Sequence, residues 1–268
     1  TKTVLSSILV GQTPEQIAIT PSGALAYVSN SGSNTVSAIA TTSNTVVGIP
    51  VPVGSNPVGI AITPDGDFAY VTNFGSIPGS VSVIATASNA IVGTVPVEAN
   101  PTGIAITPNG VSAYVTNSGS NTVSVIDTAT NTVTATIPVG SSPAGLAITP
   151  NGVSAYIANF VANTVSVIDT ATNTVTATIP VGLRPDFLAA SPDGASVYVP
   201  NQGSNTVSVI ATATNTVTAT IPVGTAPAGV AFTPAGIPVI PTLSDGALLL
   251  LLGAMAAALA LRIARSPL

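Results

Sequence analysis

The 268-residue chain has no cysteine, no histidine and no tryptophan, and it carries only four Lys/Arg against nine Asp/Glu. Charged residues are 5% of the chain, against roughly 25% in an ordinary soluble domain. Each absence excludes chemistry. Disulfides and Cys/His metal sites cannot be built. Imidazole acid–base catalysis and Ser-His-Asp triads are excluded as well. Serine and threonine are abundant, but no base is present to activate one as a nucleophile. A net charge of −5 with four cations argues against a phosphate-tracking surface, and so against a nucleic-acid partner. The lack of cysteine leaves the redox compartment open. Nothing calls for a metal or a cofactor; Asp65 and Asp67 bring too few hard oxygen ligands for a dedicated calcium site.

Apolar residues are 46% of the chain, yet aromatics are only 4%. Beta-branched residues mixed with turn formers predict many short strands. Those strands repeat. All five tyrosines, Tyr27, Tyr70, Tyr114, Tyr156 and Tyr198, fall at one position, spaced 43, 44, 42 and 42 residues apart. Asn30, Asn73, Asn117, Asn159 and Asn201 each follow by three. Pro14, Pro57, Pro101, Pro143, Pro185 and Pro227 mark the same period upstream. Residues 101–142 and 143–184 agree at 33 of 42 positions. A period of about 42 built only from strand-like segments predicts four strands per unit, hence an all-β chain of propeller blades.

In the unit that starts at Pro101, residues 103–107, 112–117, 122–126 and 132–137 read as the four strands. Pro-Asn-Gly, Ser-Gly-Ser-Asn and Asp-Thr-Ala-Thr-Asn read as the turns between them. The fourth strand alternates Thr132, Thr134 and Thr136 with Val133, Ala135 and Ile137, which suits an outer edge. Pro138, Pro180 and Pro222 close these strands and discourage edge-to-edge pairing. Residues 1–11 read as a fourth strand of a preceding unit, with no signal-peptide h-region, and 229–233 as a first strand of a following one. The expectation is five complete blades plus a partial sixth over 1–236. Closure by five blades alone, and membership of a larger ring, remain open alternatives.

Ala-Tyr-Val-Thr-Asn at 69–73 and 113–117, with IAITPDG-like and NTVSVIDTATNTV-like neighbours, resembles the YVTN β-propeller repeat family over residues 1–236. The resemblance implies a fold and an extracellular or cell-surface setting, and no particular substrate. Beyond a linker at 237–245, residues 246–261 are free of charge and are followed by Arg262 and Arg265. This stretch, 246–268, is expected to be an apolar helix with a basic end, roughly 24 Å long over its uncharged part and slightly short of a membrane span. Ile240, Pro241, Thr242, Leu243, Ser244 and Asp245 ahead of it resemble the IPTL-type C-terminal sorting signal, although Asp245 is followed directly by Gly246 where that pattern has a tryptophan. A plain membrane anchor and an assembly helix, with Gly253 and Ala257 at small-xxx-small spacing, are the alternatives.

Strand direction puts the first–second and third–fourth turns at one face, and the second–third and fourth–first loops at the other. The first face is monotonous; Asp65, Asp127, Asp169 and Asp193 sit in its turns as turn formers. The second carries the differences between repeats. Phe74 and Ile77 lie in a loop lengthened by two residues, Phe160 replaces a serine, and Glu98, Arg184, Asp186 and Phe187 lie on or just beyond fourth–first loops. Loops on a rigid scaffold carry binding residues, and Phe and Arg are enriched at interfaces. These seven residues are the candidate partner-binding face. The alternative is that the loops vary freely, since single exposed apolar residues are common. The resulting expectation is a non-enzymatic, displayed scaffold for binding or adhesion to a protein or surface glycan, with membrane or sorting machinery engaging the tail. A self-assembling subunit of a surface layer or filament is the second reading. A propeller hydrolase or lactonase is the third, and the least supported, given the missing histidine.

Overall fold

Each repeat folds as four antiparallel strands because short apolar runs alternate with turns that only particular residues make. The computed structural model describes residues 4, 6–232, 248–250 and 261–263, the last two stretches as backbone. The first sheet contains β1 (Pro14–Ile19), β2 (Leu25–Asn30), β3 (Thr35–Ala40) and a split outer strand, β4 (Thr45–Val46) and β5 (Val51–Pro52), both paired to β3. The second contains β6 (Pro57–Ile62), β7 (Phe68–Asn73), β8 (Ser80–Ala85) and β9 (Ala90–Pro96). The third contains β10 (Pro101–Ile106), β11 (Ser112–Asn117), β12 (Thr122–Asp127) and β13 (Thr132–Pro138). The fourth contains β14 (Pro143–Ile148), β15 (Ser154–Asn159), β16 (Thr164–Asp169) and β17 (Thr174–Pro180). The fifth contains β18 (Ala189–Ala190), β19 (Ser196–Asn201), β20 (Thr206–Ala211) and β21 (Thr216–Pro222). This is the blade of a β-propeller, repeated five times. The chain forms two compact units, one of Thr1–Ser120 with Ser124–Ala135, the other of Asn121–Val123 with Thr136–Leu268.

Three expectations change. Residues 6–11 form no ladder; Ile8 and Val10 instead pack on Ala26, Val28 and Ile39 of the first sheet. The outer strand of the first sheet breaks where Gly48, at φ +66°, and Pro50 interrupt its run. In the expected apolar helix, the described residues Leu248–Leu250 and Leu261–Ile263 pair instead as antiparallel strands β22 and β23. Of the partial sixth blade, Gly229 bridges Phe187 in parallel, and Phe232 sets its ring edge-on to Tyr198 at 5.2 Å. The IPTL-like motif and the rest of the tail lie outside the described residues. Among the described residues no helix is long and apolar enough to cross a membrane.

In the first unit the core lies between consecutive sheets. Tyr27, Val36 and Ala38 pack on Ile60, Ala69, Val71 and Ile84. Tyr70, Val81 and Val83 pack on Ile104, Ala113, Val115 and Ile126. Every buried tyrosine must place its hydroxyl on a partner. Tyr27 donates to Asn89 Oδ1 at 2.7 Å and Tyr70 to Asn131 Oδ1 at 2.7 Å, in each case on a turn of the next sheet. Burial, then the charges of Asp127 and Asp65, push the Tyr70 phenol up to about 12, so it remains a donor. The first strands carry a bulge after their proline that turns one N–H aside. Thr72 Oγ1 takes that N–H from Gly59 at 2.7 Å and donates to the carbonyl of Thr102 at 2.8 Å. A Cβ on Gly59 would stand 2.3 Å from that carbonyl, so glycine is required by the close approach.

In the second unit Tyr156, Ala158, Val165, Val167 and Ile179 pack on Leu188, Val197, Val199 and Ile210. Tyr156 donates to Asn215 Oδ1 at 2.6 Å. Asn159 and Asn201 are fully buried and donate through Nδ2 to Ser166 and Ser208, each at 2.9 Å, as Asn30 and Asn73 donate to Ser37 and Ser82 in the first unit. The Oδ1 atoms of these four have no donor among the described residues.

Tyr198 holds the same repeat position as Tyr70 but has no such hydroxyl bond among the described residues. Tyr70→Phe should therefore lower the unfolding free energy by about 1–2 kcal/mol, and Tyr198→Phe by under about 0.5 kcal/mol. Urea denaturation followed by circular dichroism measures both; equal losses would mean that the tyrosine–asparagine bond does not couple neighbouring sheets.

Candidate functional site

Second–third and fourth–first loops meet because each clasps the other through backbone bonds. In the first unit Phe74 N–H donates to Asn56 O at 3.0 Å and Gly75 N–H to Ser55 O at 3.0 Å. Asn100 Nδ2 donates to the Phe74 carbonyl at 3.2 Å, and Val97 N–H to Gly79 O at 2.8 Å. This is where Phe74, Ile77 and Glu98 gather. Phe74 is half-buried, Glu98 is exposed, and Ile77 is 99% exposed at the tip of the lengthened loop.

The second unit gathers the other four. Phe160 N–H donates to Ser142 O, and Arg184 N–H to Asn163 Oδ1 at 2.8 Å. Gln202 and Gly203 N–H groups donate to the carbonyls of Arg184 and Leu183 at 2.9 Å each, and Leu183 N–H donates to Ser204 Oγ at 2.7 Å. The 183–184 pair is thus gripped by loops of both sheets. Its grip orients the Arg184 guanidinium over the Phe160 ring, 5.9 Å from the centroid, a cation–π contact worth about 0.5–1 kcal/mol at an exposed site.

Arg184 stands at φ +54°. The same repeat position is left-handed throughout, at Thr13, Asn56, Asn100, Ser142 and Ala226; asparagine tolerates this conformation best. Val161 departs from the residue type of its repeat position. The matching residues are Gly32, Gly75, Gly119 and Gly203, and a Cβ on Gly119 would stand 2.4 Å from Asn100 Oδ1. With valine there the loop changes its turn, and Val161 is 62% exposed. The Leu183 side chain beside Arg184 is also exposed.

Asp186 and Phe187 were expected on the loop face; the structure seats both half-buried beside the first strand of the last sheet. Phe187 fills the bulge position that is glycine at Gly59 and Gly145, and a Cβ on Gly145 would stand 2.5 Å from its Cα. Pro200 stands where Thr72 stands, so no hydroxyl is available for the Phe187 N–H. The Asp186 carboxylate accepts that N–H instead, while Asp186 N–H donates to Pro200 O at 3.0 Å. Burial pushes the Asp186 carboxyl up to about 6, the Phe187 N–H pulling partly back. The remaining acids behave differently. Asp65 accepts from Thr63 Oγ1 at 2.5 Å and from Asp67 N–H, and Asp193 from Ser191 and Ala195 in the same way, which holds both carboxyls below the usual range. They close turns, as Asn109 and Asn151 do with Thr107 and Thr149. No cluster of three metal-ligating His, Cys, Asp or Glu occurs among the described residues.

Beside Leu183 a cleft of about 360 Å³ opens between the end of β17 and the last sheet. Ser204, Thr206, Ser208 and Thr220 supply its hydroxyls, and Val181 and Val217 its apolar wall. Sequence reasoning missed it, because those hydroxyls are repeat residues with no local signal of their own.

A carboxyl with a raised folded pKa binds its proton more tightly in the folded chain than in the unfolded one. Asp186 therefore destabilises the fold above about pH 6, and that penalty fades as pH falls towards about 4, an upper bound of roughly 3 kcal/mol. Asp186→Asn should be more stable than the parent by about 1–3 kcal/mol at pH 8 and nearly equal to it at pH 4. Urea midpoints at the two pH values decide this; a gap that does not change with pH refutes the buried-carboxyl account.

With this geometry in place, comparison with known proteins supports the repeat type. A family described as YNCE-like beta-propeller matches residues 105–196, about a third of the chain. No curated protein matches it. The chain is similar to a solved structure of Kuenenia stuttgartiensis hydrazine synthase, with 21% identity and a TM-score of 0.64, over 88% of this chain and 94% of that one. It is also similar to a functionally unknown protein from Desulfotomaculum acetoxidans, with 24% identity and a TM-score of 0.68, over 75% of this chain and 66% of that one. At these identities the likeness concerns the fold and not the activity. The repeats of this chain are thus β-propeller repeats, and residues 105–196 carry the match to the YNCE-like beta-propeller family.

Proposed function

We propose that the chain is a non-enzymatic scaffold, displayed outside the cell, that binds or adheres through the loops carrying its departures from the repeat. The observation that carries this reading is their concentration. Repeats 101–142 and 143–184 differ at nine positions, and five of the nine are 160–162, 183 and 184. A drift without function would scatter the differences over all exposed positions. Here they place an aromatic ring, a guanidinium and two exposed apolar side chains on one pair of clasped loops. Display outside the cell rests on the YVTN resemblance and on the IPTL-like tail, which supplies the tether or sorting signal. The partner is a protein or a surface glycan, and the absence of histidine from the sequence, with no acid cluster among the described residues, favours binding over catalysis.

The sibling repeat supplies a clean test. Phe160→Ser with Val161→Gly installs the pair found at Ser118 and Gly119, so the loop has a known way to fold. Cells displaying the full chain should lose at least about fivefold in adhesion to surfaces coated with envelope extract when they carry this double variant, on the basis that anchor residues cost over 1 kcal/mol. Thermal unfolding should stay within a few degrees of the parent. Full adhesion by the folded double variant overturns the proposal.

A further inference from the structure

At the turn after β10, Asn109 Oδ1 accepts from Thr107 Oγ1 at 2.7 Å and from Val111 N–H at 3.1 Å, while Gly110 N–H donates to Thr107 O at 2.8 Å. After β14, Asn151 repeats this with Thr149 at 2.7 Å and Val153 at 3.1 Å, and Gly152 N–H donates to Thr149 O at 2.8 Å. These are the two Asn-Gly pairs of the chain, and both asparagines are exposed. In such a pair the side-chain amide is open to attack by the next backbone nitrogen, because glycine has no Cβ to obstruct it. Two sibling turns hold Asp65 and Asp193 at the same position. Those carboxylates accept from Thr63 and Ser191 hydroxyls and from Asp67 and Ala195 N–H groups, in the pattern that the asparagines follow. Gly66 and Gly194 N–H groups donate to the Thr63 and Ser191 carbonyls at 2.8 Å each. The turn therefore accepts an amide or a carboxylate alike.

We propose that Asn109 and Asn151 are deamidation sites gated by their turns, and that the aspartate product keeps the turn closed. The Gly110 nitrogen attacks Cγ of Asn109 and gives up its proton; the bond from Cγ to the amide nitrogen breaks, ammonia leaves, and a succinimide ring remains. Water then opens the ring. Cleavage at Cγ gives aspartate, and cleavage at the main-chain carbonyl gives isoaspartate; nothing is oxidised or reduced. In the closed turn the attacking N–H is committed to Thr107 O, and two donors hold the amide oxygen. Thr128 Oγ1 also grips the carbonyls of Gly110 and Val111. Reaction therefore waits for a local opening. Aspartate re-forms the turn as Asp65 and Asp193 do, and each conversion adds one negative charge. Isoaspartate lengthens the main chain by a methylene inside a turn closed by Thr107 N–H to Ser112 O at 2.8 Å. The site is independent of the binding-scaffold reading, because these turns lie at the opposite strand ends from the Phe160 and Arg184 loops.

The test incubates the full chain at pH 8, folded and in guanidinium chloride, and follows the mass gain of the peptides holding each asparagine. Both sites should convert at similar rates in the denatured chain and at least about tenfold more slowly in the folded one. Thr107→Val should speed Asn109 roughly threefold in the folded chain and leave Asn151 unchanged, and Thr149→Val should do the reverse. Thr107→Ser, which keeps the hydroxyl, should match the parent. Asn109→Asp, the direct product, should unfold within about 3 °C of the parent at pH 7. Equal rates in the folded and denatured parent overturn the gate without recourse to any variant. A ratio of the two site rates that neither threonine variant changes, with both shown folded by circular dichroism, overturns it too. A larger fall in the Asn109→Asp midpoint overturns the retention of the turn.

Discussion

Thr72 holds a backbone N–H of its own sheet at 2.7 Å while giving its proton to a carbonyl of the next sheet at 2.8 Å. Ser29 does the same with Gln16 N–H at 3.1 Å and the Val58 carbonyl at 2.6 Å. A chain with 5% charge must meet its buried polar groups with neutral partners, because an unmet buried group costs about 1–3 kcal/mol. Hydroxyls suit this role because one atom both accepts and donates. The same economy explains the tyrosines, whose hydroxyls end on turn asparagines, and the buried asparagines, whose amides end on serines. Neighbouring sheets are therefore joined by directional bonds between repeat residues, and apolar packing fills the space between those bonds.

Where that hydroxyl is missing, the structure changes around it. Ala158 and Pro200 occupy the position of Thr72 in the second unit. At the last repeat the consequence runs through three residues. Proline removes the acceptor for the bulge N–H, an aspartate carboxylate takes its place, and the carboxyl becomes half-buried with a raised pKa. Phe187 then occupies a bulge position held by glycine at Gly59, Gly103 and Gly145 and by Gln16 in the first sheet, and the first strand shortens to Ala189–Ala190. Asp186 and Phe187 are thus part of how the last sheet is seated, and Arg184 and Phe160 are the pair turned outward.

Much of the blade was legible in the sequence because its signals are local. The strand expected at 112–117 is Ser112–Asn117, and the third and fourth strands end within one residue of expectation. The turns were legible because Pro-Asn-Gly and Asp-Thr-Ala-Thr-Asn encode their own backbone. The meeting of Phe160 with Arg184 was partly legible, since strand direction alone places both loops at one end. The burial of Asp186 was not, because it depends on a proline 14 residues away that removes a hydroxyl. The break in the outer strand of the first sheet depends on Gly48 and Pro50 together, each tolerable alone at an edge. The cleft at Thr206 and Ser208 arises from how two sheets stand together, and period and composition do not record it.

Near-identity of the repeats separates folding from recognition in a way that a single-copy domain does not allow. Positions that seat a sheet recur, and a change there must be answered by another change nearby, as Pro200 is answered by Asp186. The loop changes at Phe160, Val161, Leu183 and Arg184 meet one another instead, with the Arg184 guanidinium over the Phe160 ring. Valine replaces a glycine at which a Cβ would meet Asn100 in the sibling repeat, where Ser142 now stands, and arginine takes a left-handed position held elsewhere by threonine, asparagine, serine and alanine. What these changes add is exposed apolar surface at Val161 and Leu183 beside a guanidinium.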